Sequence, residues 1–176
     1  MRKVLFILGK LNDLDVEWLL SNGQKQEIPA NHTIIHYGKE VDMLYIITQG
    51  EFSVISHLRG DKEIARIQQG EIVGEMSFID SSPPSASVIS TMPSVVLAIS
   101  RQKLARKLAV DSDFASRFYY AIAVMLSDRL RKTVSNLGYD TNEEEFPADE
   151  IDLNVLENLS MAGSRFETIL KKLSEI

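Results

Sequence analysis

The stretch from Gly70 to Val88 reads Gly-Glu-Ile-Val-Gly-Glu-Met-Ser-Phe-Ile-Asp-Ser-Ser-Pro-Pro-Ser-Ala-Ser-Val and separates two groups of short apolar runs. Its two glycines stand four residues apart, and Glu75 follows the second directly. A glycine-rich entry into a helical turn directs backbone N–H groups outward, which suits an anion such as phosphate. An acidic side chain there can accept hydrogen bonds from sugar hydroxyls. One component is missing, because no lysine or arginine occurs between Arg66 and Arg101 to neutralise a phosphate.

Short β-rich runs flank this stretch on both sides. Glycines punctuate them at intervals of ten to twelve residues, and prolines interrupt them elsewhere. Evenly spaced short strands with turn signals predict an antiparallel sandwich or barrel. The predicted strands are His32–Ile35, Met43–Thr48, Glu51–Ser56, Glu63–Ile67, Ala86–Thr91 and Val95–Ser100. A lone helical turn near Glu75, set in the wall of such a barrel, is a natural place for a ligand.

Helical periodicity precedes and follows the strands. Leu11–Leu20 is predicted as a short helix with Asn12 or Asp13 as its cap, and Ser100 is predicted to cap a helix through Leu108. A long helix starts at Asp111 or Ser112 and runs to Leu137, where Gly138 ends it. The predicted fold class is mainly β with flanking helices. It is an antiparallel β-roll or jelly roll with a long C-terminal helix and a tail helix.

The long helix predicts a homodimer. Its length of about 25 residues corresponds to roughly 37 Å, which overhangs a barrel of this size. An apolar stripe beyond the barrel needs a second surface, and the simplest is the same helix, residues 114–137, of another copy. The alternative is that residues 114–126 only cover the end of the barrel.

Composition shifts divide the chain into three predicted parts. Residues 1–137 form the β-roll with its long helix, residues 138–150 an acidic linker, and residues 151–176 a C-terminal amphipathic helix with Gly163 as a candidate interruption. The last part is predicted to be a packing or partner helix. Because it shows no helix–turn–helix pair with a basic recognition helix, no direct DNA binding is expected.

Composition limits the location and the partners. The formal net charge of −6 disfavours non-specific contact with DNA or anionic lipid. No apolar run approaches the roughly 18 residues of a membrane span, and the apolar start lacks a signal-peptide cleavage site. The absence of cysteine excludes disulfides and thiolate chemistry and fits a reducing cytoplasm. We therefore expect a cytoplasmic protein without a membrane partner.

An enzyme is the less favoured alternative. His32, His36 and Glu40 are spaced like metal ligands of a cupin-type barrel enzyme, but the turn signal at residues 37–39 directs Glu40 away. The remaining histidine, His57, stands beside a predicted hairpin tip. We expect solvent-facing or locally hydrogen-bonded histidines and no metal site. No nucleophile elbow, P-loop or dinucleotide fingerprint occurs, so no catalytic residues are assigned and the chain is not predicted to be an enzyme.

The order of these elements resembles the cyclic nucleotide-binding domain shared by catabolite-activator-type regulators, protein kinase A regulatory subunits and cyclic-nucleotide-gated channels. The resemblance covers about residues 10–137. It is carried by Gly38, by Tyr-Ile-Ile-Thr-Gln-Gly at 45–50, by Gly-Glu-Ile-Val-Gly-Glu at 70–75 and by Pro-Pro-Ser-Ala-Ser-Val at 83–88. The Gly-Glu turn at this distance from a Pro-x-Ser-Ala strand is its most specific part.

The resemblance implies roles for individual residues. Residues 70–88, hereafter the cassette, would bind the sugar and the phosphate of cAMP or cGMP, a ligand rather than a cofactor. Glu75 would accept from the ribose 2′-hydroxyl, and backbone N–H groups of the turn and of Ser85 and Ala86 would hold the phosphate. The implied ligand-binding residues are Gly74, Glu75, Met76, Ser85, Ala86, Ser87 and Thr133, of which Thr133 would touch the base.

The sequence departs from the family pattern at Pro84, where the family has an arginine that pairs with the phosphate. Proline supplies neither a charge nor a backbone N–H. Arg129, Arg131 and Lys132 on the long helix are candidate substitutes. Two hypotheses follow: a cyclic nucleotide sensor with a variant cassette that signals through its C-terminal helices to a partner, or a degenerate scaffold and dimerisation module that binds no nucleotide.

Overall fold

A computed structural model of the chain describes residues 9–58, 60–136 and 153–174, without the side chains of residues 132, 135, 136, 153–160 and 162. The helices are α1 Asp13–Asn22, α2 Glu75–Asp80, α3 Arg101–Val110, α4 Ser112–Asn136 and α5 Leu153–Ser174. The strands are β1 Gly23–Ile28, β2 Thr33–Ile35, β3 Met43–Gln49, β4 Glu51–Ser56, β5 Lys62–Gln68, β6 Ile72–Val73, β7 Ser87–Ser90 and β8 Ser94–Ser100.

The strands form two four-stranded antiparallel sheets. One sheet has the order β1-β8-β3-β6 and the other the order β2-β7-β4-β5. Ile47, Phe52 and Val96 are fully buried between the sheets, as alternation of inward and outward side chains requires. A second apolar cluster joins the first sheet to the helices. The predicted fold class, mainly β with a long C-terminal helix, is confirmed.

The six predicted strands are present with ends within one residue of the prediction. Two strands were not predicted. β1 is largely polar and is defined by its register with β8, from Gly23 opposite Ile99 to Ile28 opposite Ser94. β6 has two residues, which pair with Tyr45 and Ile46 of β3. Both strands depend on long-range pairing, which leaves little periodicity in the sequence.

The helix starts have identifiable caps. Asn12 and Asp15 form a capping box at the start of α1, so Asn12 is the cap of the two candidates. Ser100 caps α3 as predicted. Asp111 Oδ1 accepts from Phe114 N at 2.9 Å, which selects Asp111 over Ser112 at the start of α4. The predicted end of α4 at residues 137–138 and the predicted linker at 138–150 lie outside the described residues.

The tail helix α5 packs against α1, and Gly163 does not interrupt it. Ile169 and Leu173 are buried in the same apolar cluster as Phe114 and Phe118 of α4. Of the two predicted roles of this segment, packing or contact with a partner, the described residues show packing. None of the helices in the described ranges has the length and hydropathy that a bilayer span requires.

Candidate functional site

The cassette turns sharply where β6 ends and α2 begins. Gly74 has a φ of +89°, in the left-handed region that favours glycine. A Cβ atom at this position would lie 2.8 Å from the backbone oxygen of Met43. Both the backbone angle and the close approach of β3 therefore require glycine, and they fix the direction in which the Glu75 side chain leaves the turn.

The Glu75 carboxylate is buried against the long helix. Its side chain is 3% exposed, and its Oε1 accepts from Arg129 Nη1 of α4 in a short ion pair. Arg129 Nη2 also donates to the backbone oxygen of Ile72 at 2.5 Å. The guanidinium thus bridges two points of the cassette, one on each side of Gly74.

Burial raises the pKa of the Glu75 carboxyl above its usual range, and the nearby charge of Glu71 acts in the same direction. The Arg129 charge opposes this rise. Removing either partner would leave a poorly solvated charge, so the pair is a strong constraint on the position of α4 relative to the cassette.

Of the three candidate cations on the long helix, the structure brings Arg129 to the cassette. Arg131 donates to Ser127 Oγ at 3.0 Å on its own helix, and the Lys132 side chain lies outside the described residues. Thr133 is exposed and donates from Oγ1 to the backbone oxygen of Arg129 at 2.9 Å. Because residues four apart share a helix face, Thr133 lies one turn beyond Arg129 on the side that meets Glu75.

The part of the cassette that the resemblance assigns to phosphate is largely open to solvent. Ser85 is exposed, Ala86 is half-buried, and the Met76 side chain is 57% exposed. The backbone oxygen of Pro84 accepts from Gly38 N at 2.9 Å. This bond attaches the turn after β2 to the cassette, so the glycine at 38 and the proline at 84 belong to one local structure.

The Ser87 hydroxyl is already engaged. Its Oγ accepts from Tyr37 N at 3.0 Å and lies 2.8 Å from His57 Nε2. The other ring nitrogen, Nδ1, lies 2.5 Å from Asp61 Oδ1, and because a carboxylate can only accept, Nδ1 is the donor of this bond. The structure therefore places Ser87, near the end of the cassette, in a hydrogen-bonded cluster with Tyr37, His57 and Asp61.

Sequence reasoning did not connect His57 with the cassette. The connection follows from the register of β4 and β7, in which Ile55 lies opposite Ser87. Pairing of these two strands is not readable from spacing alone. The prediction of a locally hydrogen-bonded histidine is correct for His57, and no group of three or more metal-ligating side chains occurs within the described residues.

Comparison with known proteins identifies the region around this site. Residues 25–111 match the family model of the cyclic nucleotide-binding domain. The chain is 29% identical over 136 residues to the cAMP-activated global transcriptional regulator CRP of Escherichia coli O157:H7, an alignment that covers 75% of this chain and 63% of that protein. The chain thus spans less than two thirds of this curated relative.

Solved structures resemble the fold as a whole. A cyclic nucleotide-binding domain from Methylobacillus flagellatus KT is 28% identical, with a TM-score of 0.71, and the match covers 81% of this chain and 85% of that chain. The catabolite activator protein of Thermus thermophilus has a TM-score of 0.60 at 21% identity, over 94% of this chain and 84% of that chain. At this low identity, the match to the Thermus thermophilus protein shows a similarity of fold alone.

Proposed function

Residues 25–111 belong to the cyclic nucleotide-binding domain family, and from this premise we propose that the chain is a non-enzymatic sensor of cAMP or cGMP with a variant cassette. The ligand would sit between the cassette and the long helix α4. The proposed contacts are Glu75 with the sugar, backbone N–H groups of Gly74, Met76, Ser85 and Ala86 with the phosphate, and Thr133 with the base. Signalling would pass through the C-terminal helices to a partner.

The observation that carries this proposal is the buried Glu75 carboxylate facing α4. A carboxylate with 3% exposure is costly to keep unless it has hydrogen-bond partners. A ribose hydroxyl is a suitable additional donor, because Arg129 engages Oε1 while a carboxylate has four lone-pair sites. A ribose hydroxyl that shares this carboxylate with Arg129 would weaken the contact between the cassette and α4, which gives the site a means of signalling.

The phosphate half supports weak binding. Pro84 removes a charged donor, and a hydrogen bond to a charged group contributes roughly 1.5–3 kcal/mol. This corresponds to a loss of about ten- to a hundredfold in affinity. We therefore expect micromolar or weaker dissociation constants, with backbone N–H groups rather than a guanidinium holding the phosphate.

Titration calorimetry with cAMP and cGMP tests the proposal on the full chain. The Pro84→Arg variant should bind about ten- to a hundredfold more tightly than the wild type, because it restores the charged donor. Pro83→Arg is the matched control, since it adds the same charge one residue away. No heat with either nucleotide, for the wild type and Pro84→Arg alike, would reject the sensor.

The second candidate function is a scaffold or dimerisation module of the same fold. It is favoured by one observation: Arg129 of the same chain already donates to the Glu75 carboxylate, which a sugar would otherwise engage. Homodimerisation through residues 114–137 is part of both candidates. Tyr119, Tyr120, Leu130 and Val134 are large side chains of α4 with substantial exposure, and they are available for such a contact. Light scattering that gives a monomeric mass would reject the dimer.

Three further expectations remain predictions from the sequence. They are the cytoplasmic location, the absence of direct DNA binding, and the division into residues 1–137, 138–150 and 151–176. A gel-shift titration with duplex DNA, with and without cAMP, tests the second of these.

A further inference from the structure

The start of α1 is a point where two other helices attach. Asp13 accepts from Arg165 Nε of α5 at 2.6 Å. Two residues later, Asp15 accepts a bidentate pair from Arg117 of α4, at 2.7 and 2.9 Å, while it also caps α1. Any movement of α4 that pulls on Arg117 therefore acts on the same turn that seats α5.

The seat of α5 combines a small apolar contact with complementary charge. Ile169 and Leu173 are buried, one turn apart, on the face that meets α1. Lys172 Nζ lies 3.7 Å from Oε1 of Glu17, and Glu17 is one turn after Asp13 on α1. Basic side chains of α5 therefore face acidic side chains of α1. Ion pairs with an exposed partner contribute little. Among the described side chains of α5, Ile169 and Leu173 are the two buried ones, so they supply most of the apolar contact that the described part of α5 makes.

The other end of α4 is fastened to the cassette. Arg129 holds Glu75 and Ile72, whereas Arg117 holds Asp15 three turns earlier on the same helix. Near Arg117, Phe114 packs against Trp18 of α1, with ring centroids 5.6 Å apart. A continuous helix transmits a change of tilt from one end to the other, so the cassette and the α5 seat share one rigid connector.

We propose that α5 is a detachable regulatory helix whose docking on α1 depends on the contact of Arg129 with the cassette. A ligand that engages Glu75 loosens this contact, and α4 then shifts at Arg117 and releases α5. Release of α5 exposes its apolar face with Phe166, Ile169 and Leu173. The ligand-dependent part rests on the proposed function, whereas the dependence of α5 docking on Arg129 does not.

Distance measurement between spin labels tests the dependence on Arg129. The chain contains no cysteine, so Leu14→Cys on α1 and Met161→Cys on α5 give one unique label pair at exposed positions. Arg129→Gln should lower the ratio of docked to released α5 by roughly 5- to 150-fold, the usual range of coupling between sites. The matched control is Arg131→Gln, which should leave the ratio unchanged.

Two further variants keep the test decisive. Labels at Leu14→Cys and Val110→Cys report on the rest of the fold and should keep their distance in every variant. If Arg129→Gln does not fold, Arg129→Lys retains the charge but loses the bidentate geometry, and it should release α5 in the same direction. An unchanged distance between α1 and α5 in a folded Arg129 variant overturns the proposal.

Saturating cAMP or cGMP provides the second arm. Heat in calorimetry together with a longer distance between α1 and α5 supports both proposals. Heat without a change in distance overturns the detachable helix and leaves the sensor intact. If neither nucleotide gives heat of binding, the sensor is rejected. The Arg129 variants alone then test the detachable helix.

Discussion

Replacing Arg129 by glutamine should destabilise the fold by about 3 kcal/mol at neutral pH. Removing one partner of a buried ion pair typically costs 3–5 kcal/mol, because the remaining charge has no counter-charge. The lower end applies here because the Arg129 side chain is 26% exposed, although Glu75 is only 3% exposed. The backbone oxygen of Ile72 also loses its guanidinium donor.

The cost should depend on pH with a defined sign. Burial raises the pKa of Glu75 above its ordinary value of 4.5, so the native state holds this proton more tightly than the unfolded state. The corresponding stability is present below that ordinary value and is lost as the pH rises through the raised pKa. The Arg129 charge lowers the pKa of Glu75, so this pKa should be higher still in the Arg129→Gln variant. The cost of the Arg129→Gln change should therefore be small at pH 4 and should grow towards pH 8.

Urea unfolding at several pH values, followed by fluorescence of the single tryptophan, Trp18, measures this cost. Arg131→Gln, two residues after Arg129 on α4, should change the free energy of unfolding by less than about 0.5 kcal/mol. Adding Glu75→Gln to the Arg129→Gln chain should remove the pH dependence of the difference. A cost below about 1 kcal/mol that is equal at pH 4 and pH 8 would refute the buried ion pair.

Three other changes test the surrounding structure. Gly74→Ala should cost about 1–3 kcal/mol of stability, because the φ angle is left-handed and a Cβ atom would meet the Met43 backbone oxygen. The melting temperature should fall by roughly 2–4 °C per kcal/mol. An unchanged melting temperature would contradict this prediction. Ile169→Ala should weaken docking of α5 by about 2–5 kcal/mol in the spin-label assay, whereas exposed Glu167→Ala should have no effect. Ser90→Ala should cost about 1–3 kcal/mol in urea unfolding, because the Pro29 carbonyl and the His32 amide lose the hydroxyl of the buried Ser90. A neutral result would reject this role.

Much of the fold was predictable because its signals are local. The glycines at 38, 50, 60, 70 and 74 have positive φ, and three of the six predicted strands lie between consecutive members of this set. The caps Asn12 and Ser100 are short polar side chains that begin helices by bonding their own backbone neighbours. Strands β1 and β6 were missed because each exists only through pairing with β8 or β3, at a distance in sequence that no local pattern encodes.

The cassette was read correctly as a turn, because glycine at 74 and a helix start at 75 are written in the sequence. The absence of a charged side chain at position 84 was equally visible there. The sequence by itself determined that a glycine-rich turn, an acidic side chain and an uncharged proline stand together, since these are properties of neighbouring residues. Only the tertiary structure decided that Glu75 meets Arg129, that Ser87 meets His57, and that α5 returns to α1, because these contacts join residues 30 to more than 150 positions apart through sheet register and helix packing.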